Sequence, residues 1–209
     1  MNHSLSKGNH PTKTKLISTV VELMQAENFE LLNVEHVLEI SGISRGSLYH
    51  HFEDFSELLE AAEIEIFSIY VDLTIEKITS VVQTSTSREV FIERIKKVTR
   101  ATQNPDLTVL RAQRIGALAR ATGNERFRKA LGLEQQRLTD SLADLFREAQ
   151  EKELSAREYD THAAAVFIQA YTIGRAIDDI APHRVDPEAW YTLIDSVVEN
   201  FFVPRNATS

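Results

Sequence analysis

Along almost the whole chain the apolar residues return every three or four positions, and no stretch makes a convincing strand. That spacing lays them on one face of an α-helix, which turns once in about 3.6 residues. The last segment shows it most fully: Trp190, Leu193, Ile194, Val197, Val198, Phe201 and Phe202 fall at i, i+3, i+4, i+7, i+8, i+11 and i+12. Only seven glycines and five prolines interrupt 209 residues, so long helices meet few breakers. The expectation is an all-α chain of about nine helices without a strand.

Several chemistries drop out early. There is no cysteine, which excludes disulfides and thiolate catalysis and fits a reducing cytoplasm. The N-terminal stretch MNHSLSKGNHPTKTK is polar and reads as no export signal. No apolar run reaches the eighteen or so residues that span a bilayer, so no membrane role is expected. Asn206-Ala207-Thr208 matches a glycosylation acceptor and reads as chance. The net charge of −8 argues against broad nonspecific nucleic-acid binding, while leaving room for a small local patch.

Local signals divide the chain. Residues 1–11 lack periodicity and read as an arm. A helix is expected over 12–27, with Leu16, Val20, Leu23 and Met24 inward and Asn28 as a left-handed cap. Asn33 caps a short helix that ends at Ser41-Gly42, where glycine can take a positive φ. Ser44 then caps a second short helix from Arg45 to about His50, with Leu48 inward. Asp54 and Glu57 form a capping box that opens a long helix to about Val82. Thr86 and Glu89 form another before a helix to about Thr102, and further helices are expected over 107–121 and 125–152. Ser155 and Glu158 are read as capping a helix over 156–180, and Asp186-Pro187 opens the last one, which stops before Pro204.

Two short helices joined by a tight glycine turn are the helix-turn-helix pattern. The core of this one, SGISRGSLYHHF, resembles the signature of the tetracycline-repressor (TetR) family of bacterial regulators. The likeness extends back through KLISTVVELMQAENFELLNVEHVLEI. It implies a helix-turn-helix DNA-binding domain at 12–55 and a ligand-binding and dimerisation domain at 56–204. It also implies that the third helix enters the major groove. On that carry-over Arg45, Gly46 and Ser47 lie at base edges, with Arg45 able to grip guanine in a bidentate way. Ser44, Tyr49 and His51 would donate to phosphates, His50 would lie beside DNA, and Lys13 and Lys15 would touch the flanking backbone.

Two departures bear on the strength of that grip. Relatives usually carry a lysine in the first turn of the fourth helix, where this chain has Phe55, and position 35, often basic, is Glu35. Over residues 1–60 the four basic residues Lys7, Lys13, Lys15 and Arg45 face nine acidic ones, a balance of −5. Weak nonspecific attraction is expected. His3, His10, His36, His50 and His51 also lie in this stretch, and their protonation would lessen the repulsion, raising DNA affinity as pH falls from about 8 to 6. The group His50, His51, Glu53 and Asp54 is not read as a metal site, because neighbouring helical residues point in different directions. No metal or other cofactor is expected.

In the body, Ala163, Phe167, Ala170, Gly174 and Ile177 repeat at steps of four and three. With the last helix they suggest a homodimer through two helices per chain, about 156–180 and 187–202. The resemblance places an effector pocket within about 60–180. Polar residues on otherwise apolar helices there are Arg111, Gln113, Arg114, His162, Gln169, Tyr171 and Asp178. A mainly apolar wall with few polar anchors suits a hydrophobic or amphipathic small molecule.

The expected function is a DNA-binding transcriptional regulator, a repressor whose operator is released by such an effector. The competing reading is a family-derived adaptor that acts through a protein partner without DNA. An enzyme is disfavoured: there is no HExxH, no phosphate-binding glycine loop and no nucleophile elbow.

Overall fold

The computed structural model describes residues 10–26 and 32–202. Within them are ten α-helices and no strand. The chain divides into two compact units, Met1–Ile69 and Tyr70–Ser209.

The first unit holds α1 (Pro11–Gln25), α2 (Val34–Ser41), α3 (Arg45–His51) and the start of α4 (Phe55–Thr84). Its core is Leu16, Val20, Val37, Leu48, Phe52, Leu58 and Ala62, all buried. Each aliphatic or aromatic side chain withdrawn in this way contributes about 1.5–3 kcal/mol relative to exposure. Helix boundaries are set locally. Asn33 accepts from the His36 amide at 3.0 Å and Ser44 from the Ser47 amide at 3.2 Å. Gly42 takes φ +64°, where a side chain would be strained even with open space around it. Asp54 accepts from the Glu57 amide at 2.7 Å, and Glu57 reaches back to the Glu53 amide at 2.6 Å. Helix α1 starts at Pro11, with the His10 ring accepting from the Thr12 amide. The proposed cap Asn28 and the sequon at 206–208 lie outside the described residues, as does most of the arm.

The second unit contains the rest of α4, then α5 (Arg88–Thr102), a 3₁₀ turn (Pro105–Leu107), α6 (Thr108–Gly123), α7 (Glu125–Glu151), α8 (Thr161–Gly174), α9 (Ala176–Asp179) and α10 (Pro187–Phe202). Phe91, Phe146 and Phe202 meet in its core, the Phe91 and Phe202 rings edge to face at 5.3 Å. Arg100 donates to the Asp195 carboxylate, at 2.5 Å from Nη2, and Lys96 pairs with Glu199, lacing α5 to α10.

Three expectations need correction here. Ser87, not Thr86, caps α5 by accepting from the Val90 amide. Ser155 and Glu158 do not open the eighth helix. Asp160 does, accepting from the Ala163 amide at 2.8 Å. The intervening residues are drawn onto neighbouring helix ends instead. The Ala156 amide donates to the Phe202 carbonyl at 3.1 Å, and Gln150 Nε2 donates to the carbonyls of Ala156 and Tyr159. The expected helix 156–180 is also broken by a turn at Arg175, which separates α8 from α9.

Candidate nucleic-acid interface and effector cavity

Leu48 and Phe52 turn one face of α3 into the core, which leaves Arg45, Gly46, Tyr49 and His50 exposed on the rest of it. Ser44 and Ser47 are occupied at the helix start: Ser44 Oγ donates to Ser47 Oγ at 3.0 Å besides capping the helix. Lys13 lies with its ammonium 5.2 Å from the Phe52 ring centre, and Lys15 is exposed on α1. All nine expected DNA residues therefore belong to the first unit, and most are open to solvent.

Arg45 is not idle. Its Nη2 donates to Glu35 Oε1 at 2.5 Å, so α2 holds the side chain expected to read a base. The hydrogen bond keeps the Glu35 carboxyl below its ordinary pKa and pushes the Arg45 guanidinium up. Phe55 is half-buried against the core cluster, which accounts for an apolar residue at that position. His51 is half-buried, its ring centre 4.7 Å from that of His10 and 5.1 Å from that of His50. Partial burial, then the positive potential of His10, His50 and Lys13, hold its pKa below the ordinary value of 6.5. Among the described residues no three acidic or histidine side chains gather to hold a metal ion.

The second unit encloses a cavity of about 70 Å³, walled by α4, α5, α6, α7, α8 and the end of α10. Leu138, Leu142, Phe146 and Ile95 make much of its wall. Of the expected ligand residues it gathers Arg114, Gln169 and Tyr171. Arg114 is buried, its guanidinium 4.3 Å over the Tyr70 ring and its Nη1 donating to Tyr70 Oη at 2.9 Å. Burial lowers the Arg114 pKa and raises that of Tyr171, whose hydroxyl lies 3.4 Å from Thr99 Oγ1. Gln169 Nε2 donates to Thr139 Oγ1 and to the Ala165 carbonyl.

The other four do not line it, and Gln113 is exposed on α6. His162 is exposed on α8. Asp178 pairs with Arg175 at 2.7 Å and accepts from the Val185 amide. Arg111 is buried in a bidentate pair with Asp179, at 2.6 Å (Nε–Oδ2) and 2.8 Å (Nη2–Oδ1). It also donates to the carbonyls of Thr102 and Asn104. This clasp joins α6 to α9 and is structural. Sequence reasoning passed over Asp179, since nothing local separates it from Asp178.

An apolar surface remains. Ala163, Val166, Phe167, Ala170, Gly174 and Ile177 are exposed along α8 and α9, beside Leu193 of α10. Helix α10 is thereby divided: Ile194, Val198 and Phe202 face the core, while Leu193, Val197 and Phe201 border an open groove with Tyr159 and Phe167.

The first unit is thus a capped helix-turn-helix, and the second is a helical body with an internal cavity. The family follows from comparison. Residues 16–62 match the profile described as bacterial regulatory proteins, tetR family, and the N-terminal domain belongs to that family. Solved structures share the fold over nearly the full length. Salmonella enterica GusR aligns at 18% identity with a TM-score of 0.59, over 96% of this chain and 99% of its own. A transcriptional regulator of the TetR/AcrR family from Thermobifida fusca YX-ER1 aligns at 14% identity and TM-score 0.57, over 91% and 98%. The fatty acid degradation regulator FadR from Bacillus halodurans aligns at 18% and 0.56, over 92% and 96%. No curated protein matches the sequence. The chain thus has the domain and fold of a tetR-family transcriptional regulator. Among the described residues no helix is long and apolar enough to cross a membrane.

Proposed function

We propose that this chain is a homodimeric cytoplasmic repressor that acts by binding rather than catalysis, and that a small hydrophobic or amphipathic effector relieves its grip on operator DNA. The observation that carries the reading is α3 itself: a short helix capped by Ser44, with Arg45, Gly46, Tyr49 and His50 outward. Arg45 reads a base edge, Ser44, Tyr49 and His51 donate to phosphates, and Lys13 and Lys15 support the flanks. The exposed stripe on α8 and α9, with Leu193, supports pairing with a second copy, since contiguous apolar surface is a mark of interfaces. Two-fold pairing sets two recognition helices on successive major grooves.

The cavity supports a release mechanism. At about 70 Å³ it is far smaller than the 300–1,000 Å³ or so of a drug-sized site. A larger effector enters only if the wall opens, so it binds best to a rearranged body and shifts the population toward it. Helix α4 contributes Tyr70, Thr74 and Ile78 to that wall and Leu58 and Ala62 to the core of the first unit. The same helix therefore serves both units.

Selection of bound sequences from random duplex DNA, followed by a gel shift on the winner, tests the proposal. Salt-sensitive binding to one site is expected, and absence of any enriched sequence would overturn it. One observation favours a non-DNA-binding adaptor: Arg45 already has an anionic partner in Glu35. Enrichment of an operator rejects that alternative.

A further inference from the structure

The described residues that line the cavity include no Asp, Glu, Lys or His, and the formal charge in its wall is that of Arg114. An anion that reaches a guanidinium among leucine, isoleucine and phenylalanine is attracted more strongly than in water, because little solvent screens the pair. The lowered Arg114 pKa agrees with that desolvation. The Tyr70 hydroxyl stands beside it, and the Tyr171 hydroxyl and the Gln169 amide line the same cavity as neutral polar groups. Leu138, Leu142 and Phe146 belong to the same lining. Arg114 is thus the single formal charge in a lining otherwise made of aliphatic and aromatic side chains, threonines, tyrosines and one glutamine.

We propose that the cavity takes an amphipathic monocarboxylate, its carboxylate on the Arg114 guanidinium and its tail among Leu138, Leu142 and Phe146. Planar guanidinium matches carboxylate in a bidentate way, and such charge-assisted hydrogen bonds are about twice as strong as neutral ones. The volume sets the tail. An engineered cavity of about 150 Å³ accepts benzene, and this one is near half that, at about 70 Å³. Even a short acid therefore has to displace wall side chains, and each further methylene adds to that displacement. The ligand class rests on the reading of this cavity as the effector site.

The test is calorimetric titration of the full chain with butanoate, hexanoate and octanoate, each beside its primary amide. The carboxylates should bind at least about tenfold tighter than amides of equal length. Arg114→Gln should bring the two to parity, and Arg114→Lys should keep part of the preference. Equal binding of acid and amide to the unaltered chain overturns the inference and needs no variant to show it. So does undiminished carboxylate binding by a folded Arg114→Gln protein, or no binding of either series. The parent reading is scored separately, by whether a small-molecule extract of cells releases the operator in a gel shift. Release by the extract while the acids fail sinks the ligand class alone. An extract without effect counts against the effector mechanism itself.

Discussion

Replacing Asp179 with alanine leaves the Arg111 guanidinium buried without its counter-charge. Both side chains are nearly inaccessible, at 3% and 5% exposure, and two hydrogen bonds join them. Removing one member of such a pair costs about 3–5 kcal/mol, because the surviving charge keeps its desolvation penalty. For a chain of this size each kcal/mol moves Tm by roughly 2–4 °C. A fall of roughly 6–20 °C in Tm follows from these values. Removing both charges together, as Arg111→Met with Asp179→Leu, takes away the penalty with the attraction, and most of the stability should return. Circular-dichroism melts and urea titrations at pH 7 measure all four members of the cycle. A loss below about 1 kcal/mol for Asp179→Ala, or a double variant as unstable as the sum of its singles, would refute the argument. The pH dependence supplies a second check. Arg111 holds the Asp179 carboxyl below its ordinary 3.8, so its contribution is complete above that value and is lost as pH falls through the folded-state pKa. Acid destabilisation below about pH 4 should therefore be shallower in Asp179→Ala. Arg114 lies one helical turn beyond Arg111 on α6, so the same change should also weaken ligand binding in the cavity.

Other outcomes follow from the two units. Glu35→Gln removes a negative charge and releases Arg45 from its ion pair, so operator affinity by fluorescence anisotropy should rise several-fold, with a steeper salt dependence if Arg45 then engages a phosphate; weaker binding would mean that Glu35 positions Arg45 for its base. Phe55→Lys should increase nonspecific DNA affinity in the same assay while costing about 1–2 kcal/mol of stability from the half-buried ring, and a variant unchanged on both counts would contradict the packing described. A phosphate beside His51 favours its charged form, so operator affinity should rise as pH falls from the pKa in the complex and level off below that of the free protein, itself under 6.5; His51→Asn should flatten the curve. In the free protein the sign is opposite, and stability should decline as pH drops through 6.5, because the unfolded chain binds the proton first. Phe167→Glu with Leu193→Glu charges the exposed stripe and should give monomers by sedimentation, with loss of operator binding; an intact dimer would move the interface elsewhere.

What the amino-acid sequence determined alone is whatever lies within a few residues. The caps at Asn33, Ser44, Asp54 and Asp186 and the glycine turn at Gly42 were legible, because each is closed by an amide three residues away or by a local φ. The inward faces of α1 to α3 followed from the helical period, and the signature around Arg45 carried the family. Tertiary structure decided the rest. Ser155 has the chemistry of a cap, yet its segment answers to the Phe202 carbonyl and the Gln150 amide, and Asp160 opens the helix instead. Arg111 finds Asp179 across 68 positions, His51 finds His10, and Glu35 takes hold of Arg45, meetings that depend on how helices are laid together. Even the apolar face of α10, continuous in the sequence, is divided by packing: one half is buried against α5, and the other borders the open groove.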